Sequence, residues 1–181
     1  MSQRVFVVTS NTQKYNDYVC GLVKHNNDIK IEQEKIAFLE LQSHDLSSII
    51  KHKITQLYPY NFRDPVIVDD VSLEIDELNG FPGPFIKFMI EKMPLSELSR
   101  KFNGSMCTFS VACGVYQNSN ATCIFEHSIR LKIHHNIFAE GYDFEHILCN
   151  HKPFKSLIRE DNHPRFACIQ DIINSKKFFL N

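Results

Sequence analysis

The first apolar run, "RVFVVT" from Arg4 to Thr9, is short and β-branched and predicts a strand. Tyr15, Tyr18, Val19, Leu22 and Val23 follow at helical spacing, so the chain opens as strand, loop and helix. A second amphipathic helix is predicted from Leu46, Ile49, Ile50, Ile54 and Leu57, with Ser43 or Asp45 placed to cap it. Past Pro59 and Pro65 the chain turns apolar again in "VIVDD", Val66 to Asp70, and the helix-to-strand order recurs. "LEIDELNGFPGP" reads as an alternating strand closed by an Asn79-Gly80 turn, after which "FIKFMIEKM" restarts a helical period. "CTFSVACGVY" and "TCIFEHSIRLKI" predict a long antiparallel pair across Gln117 to Asn120, and Phe166, Ile169 and Ile173 predict a final helix. The pattern as a whole is that of a mixed α/β domain with a long, partly antiparallel sheet. With no repeat, low-complexity tract or Gly/Ser/Pro-rich linker, residues 1–181 read as a single domain.

Composition narrows the function classes. The 181 residues are 43% hydrophobic and carry a net charge of -1, enough to bury a core and too balanced to recruit nucleic acid by charge. No basic start leads into an apolar stretch with a small-residue cleavage site, and no apolar run approaches membrane-spanning length, so neither a membrane nor a secretory route is expected. The cytoplasm is the expected compartment. Six cysteines without a C-x-x-C pair read as reduced, packed thiols rather than a zinc site or a disulfide framework.

Two stretches carry candidate chemistry. "TSNTQK", Thr9 to Lys14, stands where a strand hands over to a helix N-terminus, a place where amide donors and the positive dipole end favour anions. Thr9, Ser10 and Asn11 add side-chain donors there, and Lys14 adds a full charge. The plainer reading is a helix cap followed by a solvated lysine, and the glycines of a P-loop are absent. The second stretch is Asp69-Asp70, expected at a strand end, where open α/β sheets place their ligand crevices. Alternation sends the two carboxylates to opposite sides, so one can hold a hard cation such as Mg²⁺ while the other braces a loop. Alone, such a pair is more often a turn or a cap.

"VIVDDVSLEIDELNGFPGPFIKFMIEK", Val66 to Lys92, resembles the inosine triphosphate pyrophosphatase family, which hydrolyses deaminated purine nucleoside triphosphates. The likeness rests on the acidic pair Asp69-Asp70, the turn Gly80-Phe81-Pro82-Gly83 and the helix start Phe85-Ile86-Lys87. "TSNTQK" matches the family's Thr-Gly-Asn-x-x-Lys, with Ser10 in place of glycine, and "KIAFLELQ" resembles the segment that supplies a metal-binding glutamate, here Glu40. The resemblance runs clearly from residue 4 to about 116, then fades. It implies an elongated α/β fold with a mixed sheet and two lobes around a central nucleotide-binding cleft, assembled as a homodimer. It further implies that Thr9, Ser10, Asn11, Lys14 and Lys87 bind the triphosphate, that Glu40 and Asp70 hold Mg²⁺, with Mn²⁺ as a substitute, and that Asp69 orients or deprotonates water. Which aspartate takes which role is left open.

The last third departs from the family pattern. The expected Phe-Gly-Trp-Asp-Pro loop corresponds to "YDFEHIL", Tyr142 to Leu148, which keeps aromatics at Tyr142 and Phe144 and an acid at Glu145 but loses the glycine and proline. The expected Ser-His-Arg is represented by "NHPR", Asn162 to Arg165, with Pro164 disturbing the register. The resemblance therefore implies a purine site of Tyr142 or Phe144, Glu145, His163 and Arg165. Three functions stand: an ITP/XTP pyrophosphatase, a related pyrophosphatase with broadened or shifted base choice, and a catalytically silent nucleotide-binding protein.

Overall fold

A computed structural model describes residues 3–24, 28–117, 121–135, 144–150, 152–153 and 163–175. Strand β1 (Arg4–Val8) leads through a short loop into helix α1 (Thr12–Val23), capped by Asn11, whose side chain accepts from the amides of Gln13 and Lys14. Strand β2 (Lys30–Glu34) then pairs parallel with β1. It has a single apolar residue, Ile31, and no strand was expected there. Asp45 caps helix α2 (Leu46–Thr55), one of the two caps anticipated.

Strand β3 (Val66–Ile75) is longer than its apolar pattern suggested. The expected break after Asp70 is absent, and the acidic pair lies in the middle of ten continuous strand residues. The strand runs on because each carboxylate meets cations supplied by distant helices, and neither needs to leave the sheet. β3 ends in the anticipated turn, with Asn79 at φ 50° and Gly80 at φ 90°, a conformation that glycine adopts without steric cost. The chain returns as β4 (Pro82–Gly83), antiparallel to β3 in the register Leu73 to Gly83.

Helices α3 (Ile86–Lys92) and α4 (Leu95–Lys101) follow, then the long strands β5 (Met106–Gln117) and β6 (Ala121–Ile133). Short strands β7 (Leu148–Asn150) and β8 (Lys152–Pro153) precede helix α5 (Pro164–Asn174). The sheet order is β2-β1-β3-β5-β6-β7-β8, with β4 on β3. Pairing is parallel for β1 with β2 and β3, and antiparallel for β6 with β7 and β7 with β8. The sheet is therefore mixed, as expected.

The chain divides into two compact units. The first comprises Met1–Asp70, Val111–His127 and Arg165–Asn181; the second comprises Val71–Ser110 and Ser128–Pro164. In the first unit, Leu46, Ile49, Ile50, Ile54 and Leu57 of the α2 region pack on Phe6, Val8, Val66, Val68, Ala112 and Tyr116. Gly114 lets that helix come close, since a Cβ there would lie 2.4 Å from Ile50. Gly21 of α1 does the same for α5, with Ile169 at 2.7 Å from a Cβ placed on it. Val66 and Val68 point at α2, so Asp70 shares that face and Asp69 takes the opposite one. In the second unit Leu73, Ile75, Ile86, Leu98, Phe109, Leu131 and Ile147 are buried.

Candidate active site

β3 carries the two acids, and strand alternation gives each its own surroundings. Asp69 is buried, its side chain 3% exposed, and both its oxygens are engaged: Lys14 Nζ donates to Oδ1 at 3.0 Å and Arg165 Nε donates to Oδ2 at 3.1 Å. Arg165 also donates from an amino group to Asp17 at 2.6 Å. Lys14 and Asp17 are one turn apart on α1, and Arg165 lies in the first turn of α5, so three elements meet over one carboxylate. Burial is the largest influence on Asp69 and pushes its pKa up. The ammonium of Lys14 and the guanidinium of Arg165, with help from Lys53, outweigh it and hold the group down at about 2. Burial pulls Lys14 down, but Asp69 and Asp70 outweigh it and leave Lys14 above its ordinary value. Asp69 is thus a permanently ionised, fixed carboxylate, a weak proton acceptor and a strong organiser of cations.

Asp70 is different. Its side chain is 26% exposed, and Lys53 of α2 donates to its Oδ2 at 2.8 Å while also donating to the Asp69 carbonyl at 3.0 Å. Lys53 and Asp17 were not singled out from the sequence, although a signal existed. Lys53 falls between the core positions Ile50 and Ile54 of its helix, and Asp17 precedes the fully buried Tyr18 on α1. A charge beside an apolar helical stripe needs a partner from elsewhere.

The loop before α1 is braced from several sides. Thr9 donates its amide to the Glu34 carbonyl at 3.0 Å, its own carbonyl accepts from Gln33, and its hydroxyl accepts from the Asn11 amide at 3.1 Å. The unanticipated β2 therefore holds the candidate phosphate loop in place. The Asn11 cap uses the amides of Gln13 and Lys14, so the loop offers fewer bare amides than its sequence suggested, while Ser10 and Asn11 are themselves exposed.

The remaining candidates lie elsewhere in the chain. Glu40 is exposed in the segment between β2 and α2, and among the described residues no group of three or more His, Cys, Asp or Glu side chains gathers as a metal cluster. Lys87 is exposed on α3, in the second unit. Phe144 and Glu145 are buried in a 3₁₀ turn, Phe144–Ile147. Glu145 Oε2 lies 3.6 Å from His163 Nε2, and the Phe109 ring meets both Phe144 and His163 edge-on, at 5.7 and 5.6 Å between ring centroids. Pro164 starts α5, a position that suits its fixed φ and missing amide proton. Tyr142 lies outside the described residues.

Of the sequence-derived candidates, then, Lys14, Asp69 and Arg165 come together, Glu145 meets His163, and Thr9 meets Asn11. Arg165, anticipated as a purine donor, donates here to Asp69 and Asp17.

Residues 5–161 match the Ham1 family. The inosine triphosphate pyrophosphatase of Encephalitozoon intestinalis is 28% identical over 124 residues, covering 67% of this chain and 61% of that protein. The dITP/XTP pyrophosphatase of Methanosarcina acetivorans is 34% identical over 90 residues, 50% of this chain and 47% of the relative. The chain thus spans about half to three-fifths of the length of these relatives. The Ham1 protein of Staphylococcus aureus superposes with a TM-score of 0.65 at 16% identity, covering 96% of this chain and 97% of that one. A HAM1 protein from Coxiella burnetii gives 0.68 at 14% identity with the same coverage. At such identities the superpositions speak for the fold. The sequence match, which takes in the braced loop, the acidic pair and the proline turn, speaks for descent: this chain belongs to the Ham1 family.

Proposed function

We propose that the protein is a nucleoside triphosphate pyrophosphatase that hydrolyses deaminated purine nucleotides, ITP and XTP, to the monophosphate and pyrophosphate. The observation that carries this reading is the pair of carboxylates on opposite faces of β3, each matched to a lysine from a different helix. Relatives named as inosine triphosphate and dITP/XTP pyrophosphatases support it. Because the family match draws on both units, it also supports reading residues 1–181 as one pyrophosphatase domain. A cytoplasmic, homodimeric enzyme belongs to the same reading; no helix among the described residues is long and apolar enough to cross a membrane.

In this scheme Thr9, Ser10 and Asn11 grip the phosphate tail at the N-terminus of α1, and Lys14 offsets its charge. The residues fit a magnesium ion, a hard cation that one or two carboxylates can hold. Asp70, half-exposed on its own face, is the first of these carboxylates and Glu40 the second. An ion held there would supply positive charge to polarise the phosphorus under attack. Lys53 supplies a positive charge beside Asp70. Asp69, ionised and fixed, orients the attacking water and the surrounding cations rather than storing a proton.

A second reading, a pyrophosphatase with broader or shifted base choice, is favoured by one observation. Arg165, which the resemblance places in the purine site, donates to Asp69 and Asp17. Release of pyrophosphate from ITP, XTP, GTP and ATP, with and without Mg²⁺, separates the readings. The first expects ITP and XTP to exceed ATP in kcat/KM by roughly 10⁴, the discrimination available to a site built on hydrogen bonds. A ratio near one favours the second, and no release from any of them returns the protein to a silent nucleotide binder.

A further inference from the structure

We infer that Arg165 and Asp17 form a positioning pair that holds Asp69 while Lys14 exchanges its partner, leaving the carboxylate for the substrate's phosphate. The inference rests on the pyrophosphatase reading for its consequence and on geometry for its substance. Lys14 has two demands on it. With its ammonium 3.0 Å from Asp69 it compensates a buried charge, yet it stands on the first turn after the braced loop, where an anionic tail would enter. A lysine that turned to phosphate would leave Asp69 ionised and buried, an expensive state without a second cation.

Arg165 removes that difficulty, because its Nε binds the other oxygen of the same carboxylate. Its planar guanidinium can serve two acceptors at fixed angles, and the second acceptor, Asp17, holds it from α1 at 2.6 Å. Asp17, Arg165 and Asp69 are all nine-tenths or more buried, so water offers little competition to the three-residue chain. The order of contacts is Asp17 to Arg165 to Asp69, with Lys14 on the other oxygen of Asp69. The mobile partner and the permanent partner of Asp69 are therefore different residues. On this account Arg165 never meets the purine.

The test has one arm without nucleotide and one with it, both centred on Arg165→Lys, which keeps the charge but can meet only one of the two aspartates. In thermal melts of the apoprotein, Lys14→Ala lowers Tm more in the Arg165→Lys background than in wild type, since each residue covers for the other. Strict addition of the two shifts overturns the shared hold on Asp69. In kinetics, Arg165→Lys and Asp17→Asn each lower kcat by about fivefold or more and raise KM for the triphosphate, while monophosphate affinity and the ITP-over-ATP preference stay within about twofold. The double variant is no worse than the weaker single one, because both act through Asp69. A fall in base preference with kcat for ITP retained makes Arg165 a base reader and overturns the inference. So does a lowered Tm with kinetics unchanged, which leaves the pair structural. Should wild type cleave no nucleotide, the pyrophosphatase reading fails and the melts alone decide the hold on Asp69.

Discussion

The two faces of β3 treat neighbouring aspartates in opposite ways. On one face Asp69 is sealed beneath Lys14 and Arg165, with Asp17 behind, and both of its oxygens are used. On the other, Asp70 stays partly exposed and accepts from Lys53. Identical side chains one residue apart thus become a fixed internal anion and an accessible one, through nothing more than the period of a strand and the helices packed on each side. For a metal-assisted hydrolase the division is useful, because the exposed member remains available to a hard cation while the sealed one keeps its surroundings in order.

The largest effect that follows is on stability. Asp69→Asn leaves the buried cations Lys14 and Arg165 without their counter-charge, and chemical denaturation should show a loss on the order of 3 to 5 kcal/mol. The equivalent change on the other face, Asp70→Asn, should cost about 1 kcal/mol or less, since Asp70 is partly solvated. Equal losses would erase the distinction between the faces.

Next comes Lys14. Lys14→Ala should weaken binding of a triphosphate by about 1.5 to 3 kcal/mol relative to a monophosphate, the worth of a charge-assisted contact. Calorimetric titration with both ligands measures it. Equal losses for both ligands would move Lys14 away from the outer phosphates.

Acid sharpens the comparison further. The pKa of Asp69 in the folded protein, about 2, lies below its ordinary value of 3.8, so the group stabilises the fold fully above pH 4 and loses that contribution as pH falls toward 2. The difference corresponds to about 2 kcal/mol, carried by the field of Lys14, Arg165 and Lys53. The stability gap between wild type and Asp69→Asn should therefore narrow by about 2 kcal/mol between pH 4 and pH 2.

Much of this arrangement is visible in the sequence, and the exceptions have a common cause. β1, α1, α2, α3 and α5 announce themselves through apolar spacing, and the motifs at Thr9 to Lys14 and at Asp69-Asp70 are local enough to read directly. β2 does not, because "KIEQE" is a half-exposed strand held by backbone pairing with β1 rather than by apolar burial. The helix α4, with Leu95, Leu98 and Ser99 buried, passes unremarked behind Pro94. β3 looked like two strands because acids interrupt its apolar run, and the cations that permit its continuity come from residues 14, 53 and 165, far away in the chain. The same distance hides the employment of Arg165. A motif reveals which residue types are present, while the partners that set their charge and freedom are a property of the folded chain. In α5 the buried face runs through Phe166, Ile169 and Ile172, while the expected Ile173 is partly buried.

The claim that the two aspartates divide their labour is tested most directly by the Mg²⁺ dependence of pyrophosphate release from ITP, measured for wild type, Asp70→Asn and Asp69→Asn under conditions where each is folded. The account expects Asp70→Asn to keep a wild-type melting curve while its activity collapses across the whole Mg²⁺ range, because an amide keeps the shape of the carboxylate but is a much poorer ligand for a divalent cation. It expects the folded fraction of Asp69→Asn to require the same Mg²⁺ concentration as wild type, with turnover reduced. Near wild-type turnover by Asp70→Asn at saturating Mg²⁺, or a shifted Mg²⁺ requirement confined to Asp69→Asn, would contradict the assignment.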